Sequence, residues 1–288
     1  MKITVLGGSG FLGSHVADEL SNKGHQVTIF DKKKSKWLKK TQKMIVGDIQ
    51  NFNILKNVIK GSNVVYNFAA IADIGEALEN PTQSVKTNIL GNVNVLELCK
   101  RHKVKRVVFA STIYVHSSQG SFYRVSKQAS ELYIEEFSKI FNLNYTILRF
   151  GSIYGPRADK RNGLSRIIST ALKTGLVKYT GTAKAIRRFI YAKDAARASV
   201  DILKKQFINQ NILITGNKTS KIKDLLYKIS KLLDISRKPK FNNETQRGHY
   251  DISPYSYKPK SDKKYSIKSS ISLNEGLLEL IHIFKNKK

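Results

Sequence analysis

The stretch Lys2-Ile3-Thr4-Val5-Leu6-Gly7-Gly8-Ser9-Gly10-Phe11-Leu12-Gly13 decides the fold. A short β-branched run leads straight into three glycines at positions 7, 10 and 13, and an apolar-periodic segment follows. Residues without side chains let the backbone turn tightly, approach an anion closely and pack a helix on a strand. The opening of that helix, at Phe11 and Leu12, turns N–H groups toward a pyrophosphate. Taken alone, such a loop also fits a merely structural turn, so its neighbours carry the weight.

Working outward, β-branched runs alternate with helical ones, the pattern of a parallel sheet covered on both faces. Strands are expected at Lys2–Leu6, Gln26–Asp31, Met44–Val46, Val64–Asn67, Arg106–Ala110 and Tyr145–Arg149. Helices are expected at Phe11–Lys23, Asn53–Lys60, Val85–His102 and Tyr123–Phe141. The expectation is an α/β chain: a doubly wound parallel (Rossmann) sheet over 1–155, interleaved with a smaller C-terminal substrate lobe over 156–288. In that second part Ile222, Leu225, Leu226, Ile229, Leu232 and Leu233 mark one amphipathic helix face, and Leu273–Phe284 a last helix. Residues 241–268 are polar and Tyr-rich without clear period.

Composition removes several classes. Hydrophobic residues are 41% of the 288 and charged residues 25%, ordinary for a globular chain, and no apolar run approaches membrane-spanning length. The glycine loop begins too early for a signal peptide, and the single Cys99 cannot form an intramolecular disulfide, so a reducing, cytoplasmic setting is expected. Lys and Arg number 51 against 21 Asp and Glu, a formal charge of +30, with clusters at Lys32–Lys43 and Lys258–Lys268. A dense basic surface invites nucleic acid. Lys, Ile and Asn are abundant along the whole chain, however, as AT-rich codon usage produces, so nucleic-acid binding is disfavoured. No metal-ligand set is assigned.

The chemistry gathers at Thr112 and at Tyr123-Arg124-Val125-Ser126-Lys127. A Tyr and a Lys four apart share one helix face, so the ammonium, together with a positive nicotinamide, can support a phenolate. Such a phenolate would take a hydroxyl proton as hydride leaves the same carbon, and Thr112 could hydrogen-bond that oxygen. Asp31, ending the second strand, can accept both ribose hydroxyls of NAD and would repel a 2′-phosphate. Lys32 and Lys33 directly after it leave NADP open. Asp48 and Ile49 follow the third strand and either meet adenine or serve a helix cap.

Together these motifs resemble, over nearly the whole length, the extended short-chain dehydrogenase family of NAD-dependent epimerase/dehydratases. The resemblance implies that Asn67-Phe68-Ala69-Ala70 lines the nicotinamide side, with Asn67 where His is frequent. It implies that Asn88 shapes the active site, and that Tyr123 and Lys127 are cofactor contacts as well as catalytic ones. Leu148–Pro156 is similar to the junction into the substrate lobe, with Ser152 in place of the usual Asn. Arg187 corresponds to an Arg that binds a nucleotide diphosphate. A homodimer is implied too, pairing Val85–His102 and Tyr123–Phe141, with Leu132, Ile134, Phe137 and Ile140 as apolar candidates.

The resemblance thus implies an NAD-dependent epimerase acting on a sugar carried by a nucleotide diphosphate. A reductase or dehydrogenase with exchangeable cofactor is the neighbouring reading, and a silent, basic Rossmann-fold RNA binder the distant one. The loop from Thr112 to Tyr123 is shorter than in most of the family, and Arg247–Tyr250 and Pro254–Lys260 have no clear counterpart. Thr112 is followed by Ile113 and Tyr114 rather than carboxylates, so a 4,6-dehydratase is not expected.

Overall fold

The computed structural model describes residues 1–242, 262–264 and 269–286. The chain runs β1 (Lys2–Leu6), α1 (Phe11–Asn22), β2 (Gln26–Asp31), β3 (Gln42–Val46), α2 (Phe52–Ile59), β4 (Val64–Asn67), α3 (Ile74–Glu79) and α4 (Pro81–Ser84). A π-helical turn (Val85–Leu90) leads into α5 (Gly91–Arg101), β5 (Arg106–Thr112), a 3-10 turn (Ile113–His116), α6 (Ser121–Phe141), β6 (Tyr145–Phe150) and β7 (Ser152–Tyr154). Then come α7 (Gly163–Thr174), β8 (Lys178–Thr180), β9 (Ile186–Arg187), β10 (Phe189–Tyr191), α8 (Ala192–Asp201), β11 (Gln210–Ile214) and β12 (Ser220–Lys221). The last elements are α9 (Ile222–Leu232), β13 (Lys240–Asn242), β14 (Asp262–Lys264) and α10 (Leu273–Lys285).

The expected doubly wound sheet is present. Its strand order is β14-β11-β6-β5-β4-β1-β2-β3, every pairing parallel. Strands buried on both faces need apolar residues on both, and β1 and β4 supply them: Ile3, Val5 and Tyr66 pack on one side, Leu6 and Val65 on the other. The order reverses between β1 and β4, so the loops leaving those two strands open a crevice at the strands' carboxyl ends.

Two departures from the sequence expectation bear on the site and its frame. The single helix expected over Val85–His102 is interrupted, because Val85–Leu90 is wound as a π turn. Within that turn Asn88 O accepts from the Ser130 hydroxyl on α6 at 2.8 Å. Strand β11 was not anticipated, although Asn211-Ile212-Leu213-Ile214 is a short apolar run. Together with α8, which packs on α1, it brings the chain back to the sheet after residue 156. A further core gathers Tyr154 of β7 with Ile168, Leu226, Ile229 and Leu277 from α7, α9 and α10. The polar stretch 241–268 lies almost wholly outside the described residues, as do most of the second lysine cluster and Arg247–Lys260.

Candidate active site

At the crevice, Gly7 takes φ +76°, and a Cβ there would lie 2.6 Å from Ala69 N. A Cβ on Gly13 would run into Gly7 O, so helix and loop meet only because residue 13 has no side chain. Gly10 is the N-cap of α1 and supplies no side-chain cap, which leaves first-turn N–H groups to face an anion. Asp31 ends β2 beside this loop, its Oδ2 accepting from Ser9 N at 3.0 Å and its Oδ1 from Lys33 N at 3.1 Å. Those bonds aim the carboxylate across the loop and leave lone pairs for hydroxyl donors. An uncapped helix start, two clash-limited glycines and a fixed carboxylate fit the pyrophosphate and ribose of NAD.

Lys32 does not stand over Asp31. Its Nζ pairs with Asp48 at 2.9 Å. That cation and a bond from Gln50 N hold the Asp48 carboxyl below its ordinary range, against the opposing effect of burial. Asp48 is not the cap of α2; Asn51 is. Ile49 packs its side chain into the core against α5, leaving only its backbone for a cofactor.

Strand β5 ends at Thr112, whose hydroxyl accepts from Tyr114 N at 3.3 Å and so starts the 3-10 turn. Helix α6 then brings back Tyr123 and Lys127 one turn apart on the face toward β5. Lys127 Nζ donates to Ala110 O at 2.7 Å and lies 5.9 Å from the Tyr123 ring centre. Thr112, Tyr123 and Lys127 therefore meet, as their spacing predicts.

The electrostatics are less simple than the spacing suggests. Burial pushes the Tyr123 phenol up to about 12, with the Thr112 hydrogen bond pulling the other way. Burial also pushes the Lys127 amine down to about 7, with the Glu131 carboxylate opposing it. Desolvation penalises charge on both partners, so the pair alone does not yield an ionised phenol, which the sequence reading expects only together with a positive nicotinamide. A further positive charge at the cleft is needed.

The loop after β4 is tied to the same helix. Asn88 donates to Ile71 O at 3.0 Å and to Ser126 Oγ at 2.8 Å, and accepts from Ile71 N at 2.8 Å. Asn67 is fully buried, donates to Asn92 Oδ1 at 2.9 Å and accepts from Ala69 N. It shapes the segment through Ala69 and Ala70 rather than facing the cleft itself.

With the crevice and the Thr-Tyr-Lys cluster placed, the comparison with known proteins is decisive. The profile of the NAD dependent epimerase/dehydratase family matches residues 3–214. The chain belongs to that family. It is 27% identical over 320 aligned residues to a putative UDP-glucose 4-epimerase of Methanocaldococcus jannaschii, covering 99% of this chain and 98% of the relative. It is 27% identical over 310 residues to the UDP-glucuronate 4-epimerase of Thermodesulfobacterium geofontis, covering 96% and 94%. The UDP-glucuronic acid 4-epimerase of Bacillus cereus, solved with UDP-glucuronic acid and NAD, matches at TM-score 0.86 and 25% identity over 100% of both chains.

In this family member Ser152 lies on β7, paired with Phe189 of β10, and Arg187 lies on β9 with Nη1 donating to Ile186 O at 3.0 Å. Arg187 is buried. One expectation is corrected: Ile134 and Phe137 are 1% and 8% exposed and belong to the chain's own core, whereas Leu132 and Ile140 are 63% and 61% exposed. The sequence reading also missed Glu131 and Arg149, which form a buried ion pair directly behind Lys127. Glu131 was visible as the next turn of the Tyr123, Lys127 series; Arg149 was not, since strand pairing brings it there.

Proposed function

We propose that this enzyme is an NAD-dependent nucleotide-sugar epimerase that inverts a sugar carbinol carbon by reversible oxidation. The observation that carries the reading is the convergence of Thr112, Tyr123 and Lys127 beside the uncapped start of α1 and the fixed Asp31 carboxylate. The names of the relatives supply the substrate class, a UDP-sugar.

NAD supplies the two-electron acceptor and a cationic ring. Tyr123 Oη takes the proton of the reacting hydroxyl and returns it after the carbon has changed face. Thr112 Oγ hydrogen-bonds the same oxygen, and Lys127 holds positive charge next to the phenol. Gly7, Gly10, Phe11, Leu12 and Gly13 cradle the pyrophosphate, with Asp31 on the adenosine ribose. Lys32 and Asp48 close the rim where adenosine lies, and the Ile49 backbone lies against adenine. Asn67, Ala69, Ala70 and Asn88 set the nicotinamide side. Arg187 meets the substrate diphosphate and Ser152 its sugar, within a substrate-binding portion drawn from residues 156–288.

Elimination of water needs a base for the C5 proton and an acid for the departing hydroxyl. The loop Ile113-Tyr114-Val115-His116-Ser117-Ser118-Gln119 holds no carboxylate, so epimerisation rather than 4,6-dehydration fits the site. Purified protein, stripped of nucleotide and given NAD, is assayed on UDP-, GDP-, CDP- and dTDP-hexoses by mass spectrometry. An isomer of unchanged mass is expected. A product lighter by one water, or by two hydrogens with reduced cofactor accumulating, would overturn the assignment.

The assembly is a homodimer through the outer side of α6 and the 85–101 segment. Val85, Leu90, Phe122, Val125, Leu132 and Ile140 are all exposed there, and an apolar groove lined by Pro81, Val85, Ile89, Phe122 and Val125 runs between the two. A patch of that kind marks an interaction surface. Among the described residues no helix is long and apolar enough to cross a membrane. A cytoplasmic setting suits a nucleotide-linked substrate.

A further inference from the structure

Helix α6 carries a second buried charge that no step above uses. Glu131 lies one turn beyond Lys127 and is 5% exposed. Ser111 Oγ donates to its Oε1. Arg149 donates Nε to Oε1 at 3.1 Å and Nη2 to Oε2 at 2.7 Å. Ser111 and Arg149 are register partners on β5 and β6, so the carboxylate sits over the pair of strands that ends at Thr112. One turn earlier, Lys127 grips Ala110 O. Successive turns of α6 thus hold successive residues of β5, Ala110 and Ser111, immediately before Thr112.

Stability alone does not call for this arrangement. Phe109, Ile134, Phe137 and Ile147 form the apolar core nearby, and an apolar pair of similar volume is commonly as stable as a buried ion pair. The charge has a different consequence. Lys127 is buried among groups from three elements: Tyr123 and Glu131 on α6, Arg149 on β6, and His116 on the 3-10 turn beyond Arg149. His116 Nε2 lies 3.0 Å from Arg149 Nη1. Glu131 is the one anion of the set.

We propose that Glu131 is a positioning residue for Lys127: clamped by Ser111 and Arg149, it fixes the lysine's turn of α6 against β5 and supplies the negative field its ammonium faces. The inference rests on the proposed role of Lys127 in turnover, but its test does not.

The protein labelled with carbon-13 lysine is titrated by NMR, and the Lys127 Cε signal is assigned by its loss in Lys127→Met. The wild-type midpoint is expected near about 7. In Glu131→Gln it falls by about one pH unit, the usual effect of losing a nearby opposite charge, and Glu131→Asp recovers part of the fall. Glu131→Gln removes the carboxylate that Arg149 bonds in the core and can unfold the chain. The double variant Glu131→Gln, Arg149→Met removes the guanidinium together with the carboxylate and shows a fall in the same direction, since Glu131 is the charge that acts on Lys127. A midpoint unmoved in either folded variant overturns the proposal, whatever the activity assay shows. Where turnover is measurable, the alkaline limb of the kcat profile moves down with the lysine, whereas a purely structural role lowers kcat equally at every pH. Turnover retained in Tyr123→Phe would sink the catalytic reading alone.

Discussion

The two sides of helix α6 invert the usual rule for a surface helix. Toward the sheet, its first turns bury Ser126, Lys127, Ser130 and Glu131, none more than 5% exposed. Away from the sheet it exposes Phe122, Val125, Leu132, Tyr133 and Ile140, each at 45% or more. Buried polar groups destabilise unless every one is bonded, and here each is: Lys127 to Ala110 O, Ser126 to Tyr123 O, Ser130 to Asn88 O and Glu131 to Arg149. Exposed apolar groups ask for a covering surface. On the proposed reading the inner side serves chemistry and the outer side a partner, while Ile134 and Phe137 in the far half pack into the chain's own core.

The largest expected effect breaks the inner side at one atom. Tyr123→Phe removes the phenol oxygen and nothing else, so kcat should fall by about 10²–10⁴, the span of a general acid–base contribution. Bound NAD, read by its release on denaturation, should stay near wild-type occupancy because the glycine loop and Asp31 are untouched. Activity within tenfold of wild type would take Tyr123 out of the reaction.

The next test breaks the outer side. Leu132→Glu with Ile140→Glu places two carboxylates on the exposed apolar surface. Light scattering at micromolar concentration should then give half the wild-type mass, with the fold retained by circular dichroism. A wild-type protein already at monomer mass would remove the assembly from the account.

What the sequence disclosed follows the same division. The glycine loop and the Tyr123, Lys127 pair are local patterns whose meaning depends on residues within a turn or two, and both stand where the spacing places them. Beside the π turn at Val85–Leu90, Asn88 O accepts from the Ser130 hydroxyl some forty residues later, and no local pattern predicts that bond. Glu131 and Arg149 meet only because β5 and β6 pair. Choosing Ile134 and Phe137 as partner-facing required the phase of a helix that is apolar on both sides, and hydrophobicity alone does not separate a core face from a covered one.

A third test sharpens the comparison away from α6, at a site where surface charge is meant to select the cofactor. Asp31→Ala with Lys32→Arg removes the ribose acceptor and strengthens a phosphate partner, while freeing Asp48 from its lysine. Binding measured by titration calorimetry should shift the NAD to NADP affinity ratio by about tenfold, roughly 1.4 kcal/mol. Asp31 also accepts from Ser9 N and Lys33 N, so both affinities can weaken together. The ratio, rather than either value, is decisive, and an unchanged ratio would place Asp31 away from the cofactor.

The smallest expected effect concerns what the inner side does to stability. Lys127 is held at about 7 instead of 10.5 in the folded chain, chiefly by burial. The unfolded chain therefore binds the proton more tightly. The resulting destabilisation is fully present below the folded value and disappears as pH rises toward 10.5, so this group's contribution makes the protein more stable with increasing pH across that window. Lys127→Met removes the charge and keeps most of the volume, but also deletes the bond to Ala110 O, which offsets part of the gain. The balance should leave the variant more stable than wild type by about 1 kcal/mol near pH 6, a rise of about 2–4 °C in Tm, while turnover is lost. The advantage should shrink steadily as the unfolding midpoints are compared at higher pH. A variant less stable than wild type at pH 6, or an advantage that does not vary with pH, would mean that Lys127 rests in the core without strain, and the inner side of α6 would then be packing as any other interior does.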